Sequence, residues 1–306
     1  MEENIDDQSS RGSAARVELH EFLLRKKFDL ESVLNVHCGH FAKFSMKMFS
    51  EDSRNSDDLQ QFGTDSCSGS APFAETWYDA RSDVITVINA LEPSFIAPAW
   101  HYNSYIDHLL RDLFWQDFKS RIPPEDRPSN IMRRLSFQVP AQSVLLAVKS
   151  GLDRLVLLLS YYYRGFSPNT TFGRIKNDGR ASGLMAYALT NAATDPIFRF
   201  LVDDYHRWIK FAVEPRDVIT HHNDMMAEFV FDAETGIELP ILLGKKILPE
   251  NGAAEPSGAS QGWGPLSLCD VCENWHSLFD KTLGELLKRD LAFDRSKMTP
   301  PPKGWS

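Results

Sequence analysis

Arg216, Asp217, His221 and His222 stand within two helical turns of one another, in the run Glu-Pro-Arg-Asp-Val-Ile-Thr-His-His-Asn-Asp over residues 214–224. On a helix turning about 100° per residue, Asp217 and His221 are four apart and share a face. A carboxylate beside an imidazole fixes its tautomer and raises its pKa, so the ring can take or give a proton near neutral pH. Arg216 is five residues before His221, about 140° round the helix from it. One copy of the helix therefore holds arginine and histidine apart, whereas two copies facing each other across a two-fold axis bring two of each together. That set suits metal-free cleavage of RNA: one histidine takes the proton of a 2′-hydroxyl, the other protonates the departing 5′-oxygen, and the arginines stabilise charge on the phosphate. Arginine, aspartate and histidine on a polar helix face are also common as solvated surface, and that reading stands beside the chemical one.

Three further groups have chemistry to offer. Between residues 127 and 180 the cations Arg127, Arg133, Arg134, Lys149, Arg154, Arg164, Arg174, Lys176 and Arg180 outnumber Asp153 and Asp178. Most of these read as solvated helix faces, but the loop Gly-Arg-Ile-Lys-Asn-Asp-Gly-Arg can present Arg174, Lys176 and Arg180 to RNA phosphates. Cys269 and Cys272 have the spacing of half a zinc site, which His37, Cys38 and His40 would complete. The same two cysteines near the start of an amphipathic helix also read as buried thiols. His101 and His108 flank Tyr105 and Asp107 on one helix face, where packing is the simpler role. Tyr161, Tyr162 and Tyr163 read as helix-end packing and dimer contact rather than as a base-stacking platform.

The elements that must position these residues follow from periodicity. Residues 1–14 are polar and acidic and are expected to be disordered; 15–70 read as a helical segment followed by a Ser/Asp/Gly-rich linker. Helical patterns cover Ala74 to Leu91, ending at Glu92-Pro93-Ser94, then Phe95 to Arg121 with Pro98 near its start. Pro140 fits the first turn of a helix over Ala141–Arg164, and Gly165 ends it. Helix returns at Leu184 and, with a break near Asp195-Pro196, continues to Ala212; Pro215 then opens the helix bearing Arg216 and His221. Two apolar runs around Asp-Ala-Glu-Thr-Gly mark a hairpin at 227–243, and a last helix runs from Leu266 to Leu291. The expected fold is mainly α-helical (all-α): an antiparallel helical bundle over 71–294 with one small inserted β-hairpin, then a flexible tail at 295–306.

Composition narrows the function classes. At 306 residues the chain is roughly two domain lengths at about 150 per domain. A net charge of −9 argues against a generic nucleic-acid coat, which would carry a basic excess, but leaves room for a small basic surface. The most apolar stretch, residues 143–163, is interrupted by Lys149, Asp153 and Arg154 and is expected to be a buried helix, not a membrane span. Four cysteines and an N-terminus without an apolar run point to a cytoplasmic protein.

The stretch Arg216-Asp217-Val-Ile-Thr-His221, late in a helical array, resembles the signature of HEPN domains: an arginine, usually a polar residue, then a histidine after four to six positions. The long apolar helix over 144–163 is similar to the core helices of large members of that superfamily. The resemblance spans roughly residues 95–230 and possibly the final helix, and it says nothing of residues 1–70. It implies a helical bundle that dimerises with the motif at its interface. It also implies a metal-independent endoribonuclease needing no cofactor, of the kind that commonly serves as a toxin or anti-phage effector beside an antitoxin or regulatory protein. By this resemblance Arg216 and His221 are catalytic and Asp217 supports them. His222 satisfies the looser spacing, and Asp217 stands where many members carry asparagine. A non-catalytic HEPN module binding RNA, a nucleotide or a protein partner is the alternative, and a zinc-dependent regulator is a third.

Overall fold

The computed structural model describes residues 3–36, 39, 42–43, 46, 71–118, 123, 129–163, 165–167, 169–176, 178–213, 226–232, 237–243 and 263–289. The fold is mainly α-helical with one small two-stranded hairpin, as the periodicity predicts. The helices with described bounds are α1 (Glu3–Lys26), α2 (Ala71–Phe118), α3 (Asn130–Ser160), α4 (Gly183–Asn191), α5 (Pro196–Asp204) and α6 (Pro265–Leu286), and residues 30–36 are helical as well. A π-helical turn, Tyr205–Ile209, continues directly from α5. Among the described residues no helix is long and apolar enough to cross a membrane.

Three helical boundaries correct the sequence reading. The first is α1, which begins at Glu3, inside the stretch expected to be disordered. Arg25 and Lys26 in its last turn complement the helix dipole.

The second is α2, which runs unbroken through Pro93 and Pro98 where two helices were expected. Each proline removes a ladder hydrogen bond at a cost of about 3 kcal/mol. Leu91, Phe95, Ala99, Tyr102, Ile106 and Leu109 nevertheless keep a helical spacing across both and are all fully buried. Burying each large apolar side chain contributes about 1.5–3 kcal/mol, enough to offset both breaks.

The third is α3, which starts at Asn130 rather than Ala141 and carries Pro140 in its interior. Ser129 supplies the cap, its Oγ accepting from the Met132 amide at 3.2 Å.

The chain divides into two compact units. The first comprises Met1–Val33, Phe95–Lys149 and Arg207–His276. Its core includes Tyr102, Tyr105, Phe137 and Trp275, all essentially inaccessible. Here Met226–Asp232 (β1) pairs antiparallel with Ile237–Leu243 (β2), with Met226 opposite Leu243 and Asp232 opposite Ile237. A second polar layer fixes the hairpin to α2 and α3. Gln116 exchanges two hydrogen bonds with the Glu238 backbone at 2.9 and 3.0 Å. Arg133 donates to both Asp112 oxygens at 2.6 and 2.7 Å and to Glu238 Oε2 at 2.6 Å, and its guanidinium lies 3.8 Å from the centre of the Phe229 ring. Burial opposes the Arg133 charge, but the Asp112 and Glu238 hydrogen bonds outweigh it and raise its pKa.

The second unit comprises Leu34–Ser94, Ser150–His206 and Ser277–Ser306. Its core is built from Leu152, Leu155, Val156, Leu159, Leu184, Phe198, Leu201, Phe279 and Leu283. Asp195 caps α5, accepting from the Ile197 amide at 2.8 Å with Pro196 at the first helical position, so the break expected at Asp195-Pro196 is present.

Candidate nucleic-acid interface

The loop between α3 and α4, within the second unit, is folded back on itself. Ile175 and Ala181 form an antiparallel bridge, with Lys176 N–H donating to Arg180 O at 2.8 Å and Ser182 N–H to Arg174 O at 3.0 Å. Alternation along paired extended segments puts Arg174, Lys176 and Arg180 on one face and Ile175 and Ala181 on the other. Accordingly Arg174, Lys176 and Arg180 are exposed, while Phe172 and Ile175 are 0 and 9 % exposed. Three exposed cations thus share one face, with Asp178 beside Arg180. Arg180 grips that carboxylate at 2.5 Å, and its hydrogen bonds hold Asp178 below the usual carboxylate range.

Glycines and distant side chains hold this shape. Gly173 and Gly183 have φ of 78° and 61° and approach each other so closely that a Cβ on Gly173 would overlap the Ser182 carbonyl and one on Gly183 the Thr171 carbonyl. The Phe172 amide donates to Asp153 Oδ1 at 3.0 Å. The Tyr205 hydroxyl accepts from the Ile175 amide at 2.9 Å and donates to the Ile175 carbonyl at 3.3 Å. Tyr205 is the first residue of the π-helical turn, a feature frequent at functional sites.

The structure sorts the other basic candidates. Arg133 is committed to Asp112 and Glu238, Lys149 is buried, and Arg154 donates to Ser94 Oγ. Arg134 is exposed. Arg127 and Arg164 lie outside the described residues, as do Arg216, Asp217, His221 and His222 and the half-site His37, Cys38 and His40. Cys269 and Cys272 sit one turn apart in α6 as buried thiols. Burial first, then the negative charge around it, pushes Cys269 up to about 11, and burial pushes Cys272 well up. Among the described residues no three His, Cys, Asp or Glu side chains are grouped to hold a metal ion. His101 and His108 are half-buried on α2, each held below the usual histidine value chiefly by burial.

A polar cluster in the second unit had no counterpart in the sequence reading. Arg289 donates to both Asp195 oxygens at 2.6 and 2.9 Å, and the Tyr163 hydroxyl donates to Asp195 Oδ2 at 2.9 Å. Burial works to raise the Asp195 pKa, but the Arg289, Tyr163 and Ile197 hydrogen bonds together hold it below the usual range. Tyr163 is pushed far up by burial and then by Asp195, so it remains a donor. Phe166, Tyr187 and Phe198 pack round the Tyr163 ring. The Asp195 carboxylate is saturated by the amide it caps and by these two donors, which makes the cluster a structural tie. Tyr163 therefore packs and ties the chain just after α3, and the pairing was not visible in the sequence because 32 residues separate it from Asp195 and 126 from Arg289.

Comparison with protein-family models, with curated proteins and with solved structures finds no match to this chain.

Proposed function

We propose that the chain binds RNA through the Arg174, Lys176 and Arg180 face and cleaves it at a metal-independent site that pairs Arg216 and His221 from two copies. The observation carrying the binding half is an exposed cationic face, held by the Ile175–Ala181 bridge, on a chain of net charge −9. Polyanion contact there adds attraction without needing a basic surface elsewhere. The cleavage half rests on the 214–224 run and its resemblance to HEPN domains. In that reaction the 2′-oxygen forms a bond to phosphorus as the bond to the 5′-oxygen breaks. One His221 takes the 2′-hydroxyl proton and the other protonates the 5′-oxygen, leaving a cyclic phosphate and a free 5′-hydroxyl. His222 is the second candidate for either proton, Asp217 orients the ring, and Arg216 neutralises the phosphorane charge. No cofactor enters this scheme. The setting we propose is the cytoplasm, as a toxin or anti-phage effector held by an antitoxin or regulatory protein.

The cationic loop stands independently of the 214–224 run, and this favours a second reading, a non-catalytic RNA-binding module. Binding and cleavage of a single-stranded RNA by the wild type, by Arg174→Ala/Lys176→Ala/Arg180→Ala and by His221→Ala separate the two. The first reading expects the triple variant to lose binding and the histidine variant to bind but not cut. RNA binding in all forms with cleavage in none selects the second. Equal RNA binding by wild type and triple variant removes the loop from both.

A further inference from the structure

The last turn of α1 and the residues just after it line a cleft of about 520 Å³ within the first unit, together with Glu273 of α6. That volume lies in the range of sites that hold small molecules. Phe22 and Lys26 are four apart and share a face of α1, with Arg25 beside them. Beyond the helix end Phe28 is held on all sides. Its amide donates to Asn103 Oδ1 at 2.9 Å, its carbonyl accepts from Asn103 Nδ2 at 2.8 Å, and its ring meets those of Tyr102 and His276 edge-on, each at 5.5 Å. Two of the charged groups lining the cleft are already committed. Lys27 pairs with Asp107 at 2.8 Å, and Asp29 caps the helix over 30–36 by accepting from the Glu31 and Ser32 amides at 3.2 and 3.3 Å.

Three charged groups keep capacity to spare. Lys26 Nζ lies 5.9 Å from the centre of the Phe22 ring, and among the described residues no carboxylate pairs with it. Arg25 spends Nε on the Glu21 carbonyl at 3.3 Å, which leaves its terminal nitrogens. Glu273 accepts from the weak thiol donor of Cys269 at 3.6 Å, which leaves its second oxygen. Lys26 and Glu273 both act on that thiol, so their opposite charges stand near each other beside α6. We infer that the cleft binds an aromatic amino acid, its ring against Phe22 and Phe28, its carboxylate at Arg25 and Lys26 and its ammonium at Glu273. The charges select this class. A phosphate or another multiply charged anion would meet Glu273, and an amine without a carboxylate would meet the two cations. The site uses no residue of the Arg174, Lys176 and Arg180 face or of the 214–224 run, so it stands or falls separately from the RNA reading.

Calorimetric titration of the full chain with L-tryptophan tests this, beside three probes that each lack one group: tryptamine without the carboxylate, indole-3-propionate without the ammonium and L-alanine without the ring. Tryptophan is expected to bind saturably, and each probe at least about tenfold more weakly. Lys26→Ala is expected to weaken tryptophan about tenfold and to leave tryptamine unchanged. Glu273→Gln is expected to weaken tryptophan similarly and to leave indole-3-propionate unchanged. Both positions are at least partly open to solvent, and unchanged helical circular dichroism shows that each variant is folded. Should Lys26→Ala not fold, Lys26→Gln with Arg25→Gln carries the same test. No saturable tryptophan binding at millimolar concentration, a truncated probe that binds as tightly as tryptophan, or binding indifferent to Lys26 and Glu273 overturns the inference.

Discussion

The Tyr205 hydroxyl spans the backbone of Ile175, accepting from its amide at 2.9 Å and donating to its carbonyl at 3.3 Å, so one phenol satisfies both polar groups of a buried residue between Arg174 and Lys176. Tyr205→Phe leaves those two groups without this partner. Each net hydrogen bond contributes about 0.5–1.5 kcal/mol, so the loop should open more readily by about 1–3 kcal/mol. Amide exchange at Ile175 is expected to accelerate well beyond that of the α3 core amides and, on the proposed RNA-binding reading, RNA affinity to fall with it. Unchanged protection at Ile175 would remove Tyr205 as the latch.

The two close glycines should be less replaceable than the third. Gly173→Ala and Gly183→Ala combine a left-handed φ with direct overlap on a backbone carbonyl, whereas Gly179, at φ 79°, faces open space. Gly179→Ala is expected to cost about 1 kcal/mol and the other two more, through strain at positive φ together with displaced backbone. Thermal or denaturant unfolding of the three variants gives the order.

Asp195 and Arg289 supply a pH dependence. The folded Asp195 carboxyl lies below its ordinary value despite burial, because Arg289, Tyr163 and the Ile197 amide favour its charged form. A depressed carboxylate pKa means the unfolded chain binds more protons in the window between the two values. This stabilisation is therefore fully present above the unfolded value and is lost as pH falls through the folded one. Arg289→Ala is expected to cost about 1.5–3 kcal/mol at neutral pH, as for a hydrogen bond to a charged group. The gap between wild type and variant should close as pH drops below the usual carboxylate range. A gap that persists there would assign the loss to packing on Tyr163 instead.

Salt dependence measures the cationic face. If the loop binds RNA as proposed, each phosphate-contacting cation removed should lower the slope of log affinity against log salt by about 1. Arg174→Ala and Lys176→Ala should each show this. Arg180→Ala should show less, since its guanidinium is already shared with Asp178.

The sequence made some of this visible for clear reasons. The hairpin was legible because two alternating runs bracket Asp-Ala-Glu-Thr-Gly, and the core of α3 because Val144, Leu145, Val148, Leu152 and Leu155 repeat at helical spacing and are all fully buried. The continuity of α2 was not, since Pro93 and Pro98 are strong local signals overridden by packing that only the folded chain reveals. Arg174, Lys176 and Arg180 could be named from composition alone. Their common face depends on a bridge between Ile175 and Ala181, and the segment carrying them is tied to Tyr205, 30 residues away. Arg216, Asp217, His221 and His222 lie outside the described residues, and the cleavage proposal draws on their spacing in the sequence.

The most direct test of the central claim is cleavage of a single-stranded RNA in excess chelator by the wild type, His221→Ala, His222→Ala and Arg216→Ala. The account predicts chelator-resistant cutting that leaves a cyclic phosphate, abolished in His221→Ala and Arg216→Ala and retained in His222→Ala. No cutting by a folded, RNA-binding wild type, or cutting indifferent to His221 and Arg216, would contradict it.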